Sequence, residues 1–227
     1  MNAALPAKTE ASPPSPRRDV YCGDAIAWMQ TTPRFTDDSV ITSLPDVSEV
    51  PHLSLPAWKA WFQSAAAMIF ARVPDDGVAI FYQSDIKYDG VWIDKGYLVH
   101  AAAEAAGVAL LWHKIACRKP AGSVVYGRAG YSHMLCYSRA LRPPLVRSTP
   151  DVLSDIGEMT WSKAMGVKAC ALAVRFIAKE TPQKIVIDPF CGYGTTLAVA
   201  NAFGLDAIGV ELSKRKCRRA EALKVEV

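Results

Sequence analysis

Lys184-Ile-Val-Ile-Asp-Pro-Phe-Cys-Gly-Tyr-Gly-Thr-Thr196, followed by Asp206-Ala-Ile-Gly-Val-Glu-Leu-Ser213, is the part of the chain that sets its fold. Ile185, Val186 and Ile187 form a β-branched run, as expected of a strand buried on both faces. Gly192 and Gly194 let the chain turn tightly and approach a ligand where a Cβ would collide. Thr195 opens a helix that runs to about Ala202, with Gly204 suited to its C-terminal stop. A second apolar strand ends in Glu211. It lies about 20 residues beyond the glycines, a spacing at which a carboxylate accepts both hydroxyls of a ribose. G-x-G-x-x-G is absent, so a dinucleotide pattern is not present. A structural strand-turn-helix without a ligand remains the alternative.

The chain has 227 residues, 51% of them hydrophobic, and a net charge of +4. That is enough to bury one sizeable core. The mildly basic balance is compatible with nucleic acid and equally with an ordinary soluble enzyme. Cys22, Cys117, Cys136, Cys170, Cys191 and Cys217 are scattered, with no C-x-x-C and no Cys/His cluster, so no metal site is expected. Several lie in apolar segments and read as buried thiols, which fits a reducing cytoplasm. No apolar run approaches the length of a membrane span. Residues 1–17 are rich in Pro, Ala and Ser and read as a disordered arm. Residues 18–227 then form one domain. Arg17 and Arg18 either touch phosphate or start a solvated strand.

The expected order is a strand at Arg18–Cys22, a short helix from Asp24 to Thr31, and a strand from Ser39 that runs into a proline turn at Pro45. A helix follows over Pro56–Arg72, with Trp58, Trp61, Phe62, Ala65, Met68 and Ile69 as its core stripe. Next come a strand at Gly77–Tyr82, a helix at Gly96–Ala106, and antiparallel strands at Val108–Cys117 and Tyr131–Ser138. Residues 141–157 read as irregular. A helix from about Trp161 to Lys179 leads into the opening stretch. The pattern is an α/β sheet ending in a hairpin-like pair.

The wording DPFCGYGTT resembles the S-adenosylmethionine motif of the DNA methylases that modify exocyclic amines of adenine or cytosine. The resemblance covers about residues 18–46 and 158–222. It implies a Rossmann-like class I methyltransferase sheet and S-adenosyl-L-methionine as cofactor. It places Asp188, Pro189, Phe190, Cys191, Gly192, Gly194, Thr195 and Thr196 around that cofactor, and Glu211 on its ribose. With the cofactor motif last, the element order is circularly permuted. Arg18–Cys22 then supplies the third strand, and Asp24 falls beside the adenine. Asp24 also suits an N-cap of the helix after it, and the two roles are compatible.

The permuted order predicts a catalytic turn after the Val40-Ile-Thr strand, and Ser43-Leu-Pro-Asp46 stands there. The family pattern is Asp, Asn or Ser, then Pro-Pro, then Tyr or Phe. Ser43 and Pro45 match, whereas Leu44 and Asp46 depart. An exocyclic amine is a poor nucleophile because its lone pair is conjugated into the ring. Ser43 Oγ and the Leu44 carbonyl can accept its two N–H bonds and favour a tetrahedral nitrogen. The aromatic expected at position 46 would stack on a flipped base, and a carboxylate cannot. Three readings follow. Asp46 is an acceptor or general base for an altered substrate; or another aromatic (Tyr82, Trp92 or Tyr126) stacks; or the chain is a degenerate cofactor-binding subunit. A small-molecule or protein methyltransferase is a further alternative.

Residues 140–160 are too short to be a recognition domain, although Arg139, Arg142 and Arg147 give them positive charge. Lys114 to Arg128 mixes basic, glycine and aromatic residues. Lys114, Arg118, Lys119, Tyr126 and Arg128 are therefore candidate nucleic-acid contacts, with an ordinary hairpin loop as the alternative. Trp161 to Gly166 occupies the place of the family's Lys-Pro element at the methionine end of the cofactor, and matches it poorly. The expected partner is DNA or structured RNA, with a protein partner or a second copy as a source of specificity.

Overall fold

A computed structural model describes residues 15–34, 36–144 and 148–227. Most of the expected N-terminal arm, and Arg147, lie outside the described residues. In chain order the strands are β1 Arg18–Cys22, β2 Asp38–Thr42, β3 Ala79–Gln83, β4 Ile86–Tyr88, β5 Val91–Ile93, β6 Ala109–Cys117, β7 Tyr131–Ser138, β8 Val152–Leu153, β9 Ile185–Asp188 and β10 Asp206–Glu211. The helices are α1 Ala25–Thr31, α2 Leu55–Arg72, α3 Lys95–Ala105, α4 Val167–Glu180, α5 Thr195–Ala202 and α6 Lys214–Ala222.

Eight strands form one sheet in the order β1-β10-β9-β2-β3-β7-β6-β8. From β1 to β3 along that order, neighbouring strands are all parallel. β7 then runs antiparallel to both β3 and β6. Strands β2, β3 and β7 are buried along almost their whole length, because helices cover both faces. One face packs on α4 and α5 through Ile41, Ile80, Val186, Cys170, Val174, Ile177, Leu197 and Val199. The other packs on α2 and α3 through Val40, Phe81, Leu135, Ile187, Trp58, Phe62, Ile69 and Val99.

The α/β sheet and the hairpin follow the sequence expectation, and several details correct it. The helix expected from Trp161 starts only at Val167, behind Gly166 at φ +85°. A Cβ at Gly166 would lie 2.5 Å from the Ile156 carbonyl, so residues 158–166 form a strap ahead of the helix. Residues 152–153, expected to be irregular, pair with β6. The β4–β5 hairpin is an addition to the expected order, although Asp89-Gly90 is a two-residue turn signal; both residues adopt positive φ there. In the α2 stripe, Trp61 and Met68 are only half-buried. Arg17 pairs with Asp206, and Arg18 donates to the carbonyls of Ala220 and Leu223, so both anchor the chain's own edge. Cys22 and Cys217 are joined in a disulfide, contrary to the reading of separate thiols. They are 195 residues apart in sequence, yet β1 and α6 pack together beside β10.

Asp38, at the start of β2, is 1% exposed, and its Oδ1 has no hydrogen-bond partner among the described residues. Burial pushes its pKa up to about 7, against the pull of Arg72. The folded state therefore holds a proton that the unfolded chain releases near 3.8. The stability this group contributes is complete below that value and is lost as pH rises through about 7. Asp38→Asn is expected to stabilise the protein by about 1–3 kcal/mol at about pH 8, with the gain shrinking toward about pH 4. Urea melts at several pH values measure it; a pH-independent effect would refute the assignment.

Candidate active site

The site lies at the carboxyl ends of β9, β10, β1 and β2, where the chain order reverses on either side of β9. Ligands of open α/β sheets bind at such an edge. A cavity of about 400 Å³ opens there. Its walls include Gly23 and Asp24 after β1, Ser43, Leu44 and Pro45 after β2, Asp188 to Gly192 after β9, Thr195 and Thr196 on α5, and Glu211 ending β10. Segments from the two ends of the sequence thus meet in one cavity, as the sequence reading requires.

Each cofactor-side residue has a distinct placement. Gly192 takes φ +57°, and a Cβ there would come within 3.1 Å of the Trp161 ring. Gly194 is corrected: it does not line the cavity. It caps α5 at φ +83°, and a Cβ would lie 2.7 Å from Ala220 Cα, so it serves the packing of α5 on α6. Asp188 is buried; it accepts from Thr42 Oγ1 at 2.7 Å and from the Phe190 N–H at 3.1 Å. It thereby braces β2 against β9. Burial raises its pKa to about 6, despite the bond from Thr42. Glu211 Oε1 accepts from Ser213 N at 2.8 Å and faces Lys216 Nζ at 3.8 Å, which orients the carboxylate at the cavity wall. Asp24 lines the cavity and also caps α1, accepting from Ala27 N at 2.8 Å. The burial of Cys191 drives its thiol pKa up, so it is inert at neutral pH.

The strap closes the cavity. Trp161 stacks on Tyr193 with centroids 4.9 Å apart, and Lys216 sits over its ring. Thr160 Oγ1 bonds Thr195 Oγ1 at 2.6 Å. Lys163 reaches across to Glu49 at 2.8 Å, and Glu49 in turn accepts from Asp46 N. Trp61 lines the cavity and meets Phe190 edge-on, which corrects its reading as core. Trp161, Lys163, Ala164 and Met165 of the segment suspected at the methionine end do line the cavity, and His52 and Lys216 are further lining residues outside the sequence expectation. Their only sequence signal is proximity to the two motifs.

In the turn after β2, Trp58 Nε1 donates to the Pro45 carbonyl at 3.2 Å, so α2 holds the turn in place. Ser43, Leu44 and Pro45 line the cavity, and Asp46 does not. Asp46 is 5% exposed and pairs with buried Lys95 and, at 2.7 Å, with Arg128. Burial raises its pKa, but the two cations outweigh burial and leave it below the usual carboxylate value. The reading of Asp46 as a general base is therefore corrected. Its oxygens are committed to cations, outside the cavity lining.

The substrate candidates separate. Tyr82 is 3% exposed within β3, yet it lines the same cavity as Ser43 to Pro45, so the structure places this candidate at the floor of the site rather than on an open surface. Lys114 is buried and donates to the carbonyls of Thr149 and Pro150 and to Asp151, so it is a structural residue. Arg118 donates to the Ser162 carbonyl and ties the flap, residues 118–130 between β6 and β7, to the strap. Lys119 and Tyr126 are exposed on the flap, and Arg128 is half-exposed at its root. Among the described residues, Asp85, Asp94 and His133 bring metal-ligand atom types within 4.8 Å of one another. Those atoms are already engaged: His133 Nε2 bonds Asp85 at 3.0 Å, Lys95 N donates to Asp85, and Asp94 caps α3.

Residues 158–222 match the family model described as DNA methylase. No curated protein sequence matches the chain. A putative DNA modification methylase from Thermus thermophilus superposes with a TM-score of 0.68 at 18% identity, over 89% of this chain and 92% of that one. The same protein complexed with S-adenosyl-L-methionine gives 0.66 at 20% identity, over 89% and 91%. PvuII DNA methyltransferase, described as cytosine-N4-specific, gives 0.68 at 15% identity, over 94% and 89%. The resemblance to DNA methylases is borne out over residues 158–222, and the chain shares the fold of these methylase structures.

Proposed function

We propose that this chain, DNA-methylase-like in its fold and over residues 158–222, is an S-adenosylmethionine-dependent methyltransferase acting on an exocyclic amine of a nucleobase. The observation that carries the reading is the shared cavity: Ser43 to Pro45 line the same space as Asp188, Gly192 and Glu211. A permuted element order accounts for a cofactor strand that follows the catalytic turn in sequence.

The residues fit the cofactor. Glu211 offers a carboxylate to the ribose hydroxyls, and Asp24 stands beside it for the adenine amine. Gly192 keeps the backbone bare under Trp161, and Trp161 with Met165 would exclude water from the methionine end of a bound cofactor. When bound, the cofactor supplies an electrophilic methyl group on a sulfonium. Ser43 Oγ and the Leu44 carbonyl accept the two N–H bonds of the acceptor amine, which orients its lone pair and favours the tetrahedral nitrogen of the transition state. As the amine took the methyl group, the carbon–sulfur bond would break to leave a neutral thioether, and the extra proton on nitrogen would pass to water, because Ser43 Oγ and the Leu44 carbonyl orient the amine without being bases. Trp61 and His52 supply aromatic surface within the cavity, where the turn itself has none.

The test is calorimetry with S-adenosylmethionine, then transfer of labelled methyl to total DNA and total RNA, with nucleosides resolved by mass spectrometry. Cofactor binding with transfer to one pool, lost in Ser43→Ala by about 100-fold, is expected. Binding without transfer to either pool would identify a cofactor-binding subunit instead.

A further inference from the structure

Five of the six aromatic side chains exposed by more than a third, among the described residues, fall within residues 88–131: Tyr88, Trp92, Tyr97, Tyr126 and Tyr131. Tyr88 and Trp92 lie on the β4–β5 hairpin, Tyr126 on the segment between β6 and β7, Tyr131 at its end, and Tyr97 on α3 just beyond the hairpin. The flap between β6 and β7 lies on β4 through Lys87 N to the Gly127 carbonyl at 2.9 Å, Ala129 N to the Asp85 carbonyl at 3.3 Å, and a bridge between Ile86 and Arg128. Between hairpin and flap lies a second cavity of about 600 Å³, walled by Trp92, Tyr131, Lys119 and the backbone around Gly122, with Asp85 and Asp94 on its inner side held by His133, Lys95 N and Tyr97 N. Burying Ile86 and Ile93 holds the hairpin down on one face, so its other face is free to present side chains.

That outer face pairs a ring with a cation. Lys87 stands directly opposite Trp92 in the antiparallel ladder, so the two share a face. Flap residues 118–130 contain Arg118, Lys119 and Arg128 and no acid. Tyr126 is 91% exposed and Val124 is 78% exposed. Apolar side chains held in water at this density mark a contact surface. Rings interleaved with cations suit bases that stack and phosphates that need neutralising. The unit is joined to the catalytic turn, because Arg128 on the flap and Lys95 at the start of α3 both pair with Asp46.

We infer that the β4–β5 hairpin and the flap form a binding surface for unpaired nucleotides flanking the acceptor base, with Trp92 and Tyr126 as stacking platforms and Lys87 and Lys119 on the phosphates. The inference rests on the nucleic-acid reading of the active site. Asp46 acquires a role here: it takes the place of a base-stacking ring and fastens the surface that does the stacking.

Fluorescence anisotropy with a labelled single strand of about 20 nucleotides, DNA and RNA in parallel, tests it without any methyl transfer. Trp92→Ala and Tyr126→Ala are each expected to weaken single-strand binding by about 10-fold while leaving S-adenosylmethionine affinity unchanged. Lys87→Ala is expected to lower the slope of log affinity against log salt by about 0.7. Single-strand binding at wild-type strength in the ring variants overturns the inference, as does a preference for duplex. Concentration-dependent dimerisation abolished by Trp92→Ala also overturns it, in favour of a protein interface. Failure of cofactor binding, or of transfer, with the ring effects intact would sink the methyltransferase reading alone.

Discussion

Asp46→Ala is expected to destabilise the protein by about 3–5 kcal/mol, because it leaves the Lys95 ammonium buried and unpaired. Lys95 is 3% exposed, and Asp46 is its ion-pair partner. Burial already lowers the Lys95 pKa against the pull of Asp46. Without Asp46 it falls further below its unfolded value, so the folded variant binds fewer protons than the unfolded chain. Stability of the variant then rises with pH through the alkaline range. The wild-type pair has the opposite liability: the Asp46 contribution is present above the unfolded carboxylate value near 3.8 and is lost as pH falls through its lower folded value. Asp46→Ala combined with Lys95→Met removes both charges and is expected to recover most of the loss. Urea denaturation across pH decides the matter. A loss under about 1 kcal/mol, or one that is flat from about pH 7 to about pH 10, would show that the pair does not support the turn.

Glu211→Ala is expected to weaken S-adenosylmethionine binding by about 10- to 100-fold, as for loss of hydrogen bonds to a charged acceptor. The carboxylate ends β10 on the cavity wall, with Oε1 braced by Ser213 N. The side chain is not part of the apolar core, so the melting temperature without cofactor should change little. Calorimetry gives the affinity directly, and Glu211→Gln should fall between the two. Affinity within about twofold of wild type would remove Glu211 from the ribose site.

The cofactor side is legible in the sequence because its signals are local. A β-branched run, glycines at a turn, a helix start and an acid at strand end are each readable within a few residues, and β9, α5 and β10 form where those signals stand. The placement of β1 beside β10 is legible for a different reason: the resemblance puts the cofactor motif last, which makes Arg18–Cys22 the strand next to β10. The strap reads as helix because Trp161 to Lys179 is continuous in composition. Only the contacts of Gly166 with Ile156 show that the chain cannot be helical before Val167.

Gly194 and Asp46 mark the limit most clearly. Spacing assigns Gly194 to a ligand, and its neighbour is Ala220 of α6. Chemistry leaves Asp46 as a base, an acceptor or a relic, and its neighbours are Lys95 and Arg128, both remote from it along the chain. The α/β sheet and the strand-turn-helix at Ile185–Ala202 follow from order along the chain, since hydrophobic period and turn chemistry act between near neighbours, and the resemblance points to the turn at Ser43. Which charges meet, which thiols pair and which rings stay in water do not, since each depends on residues that only folding brings together.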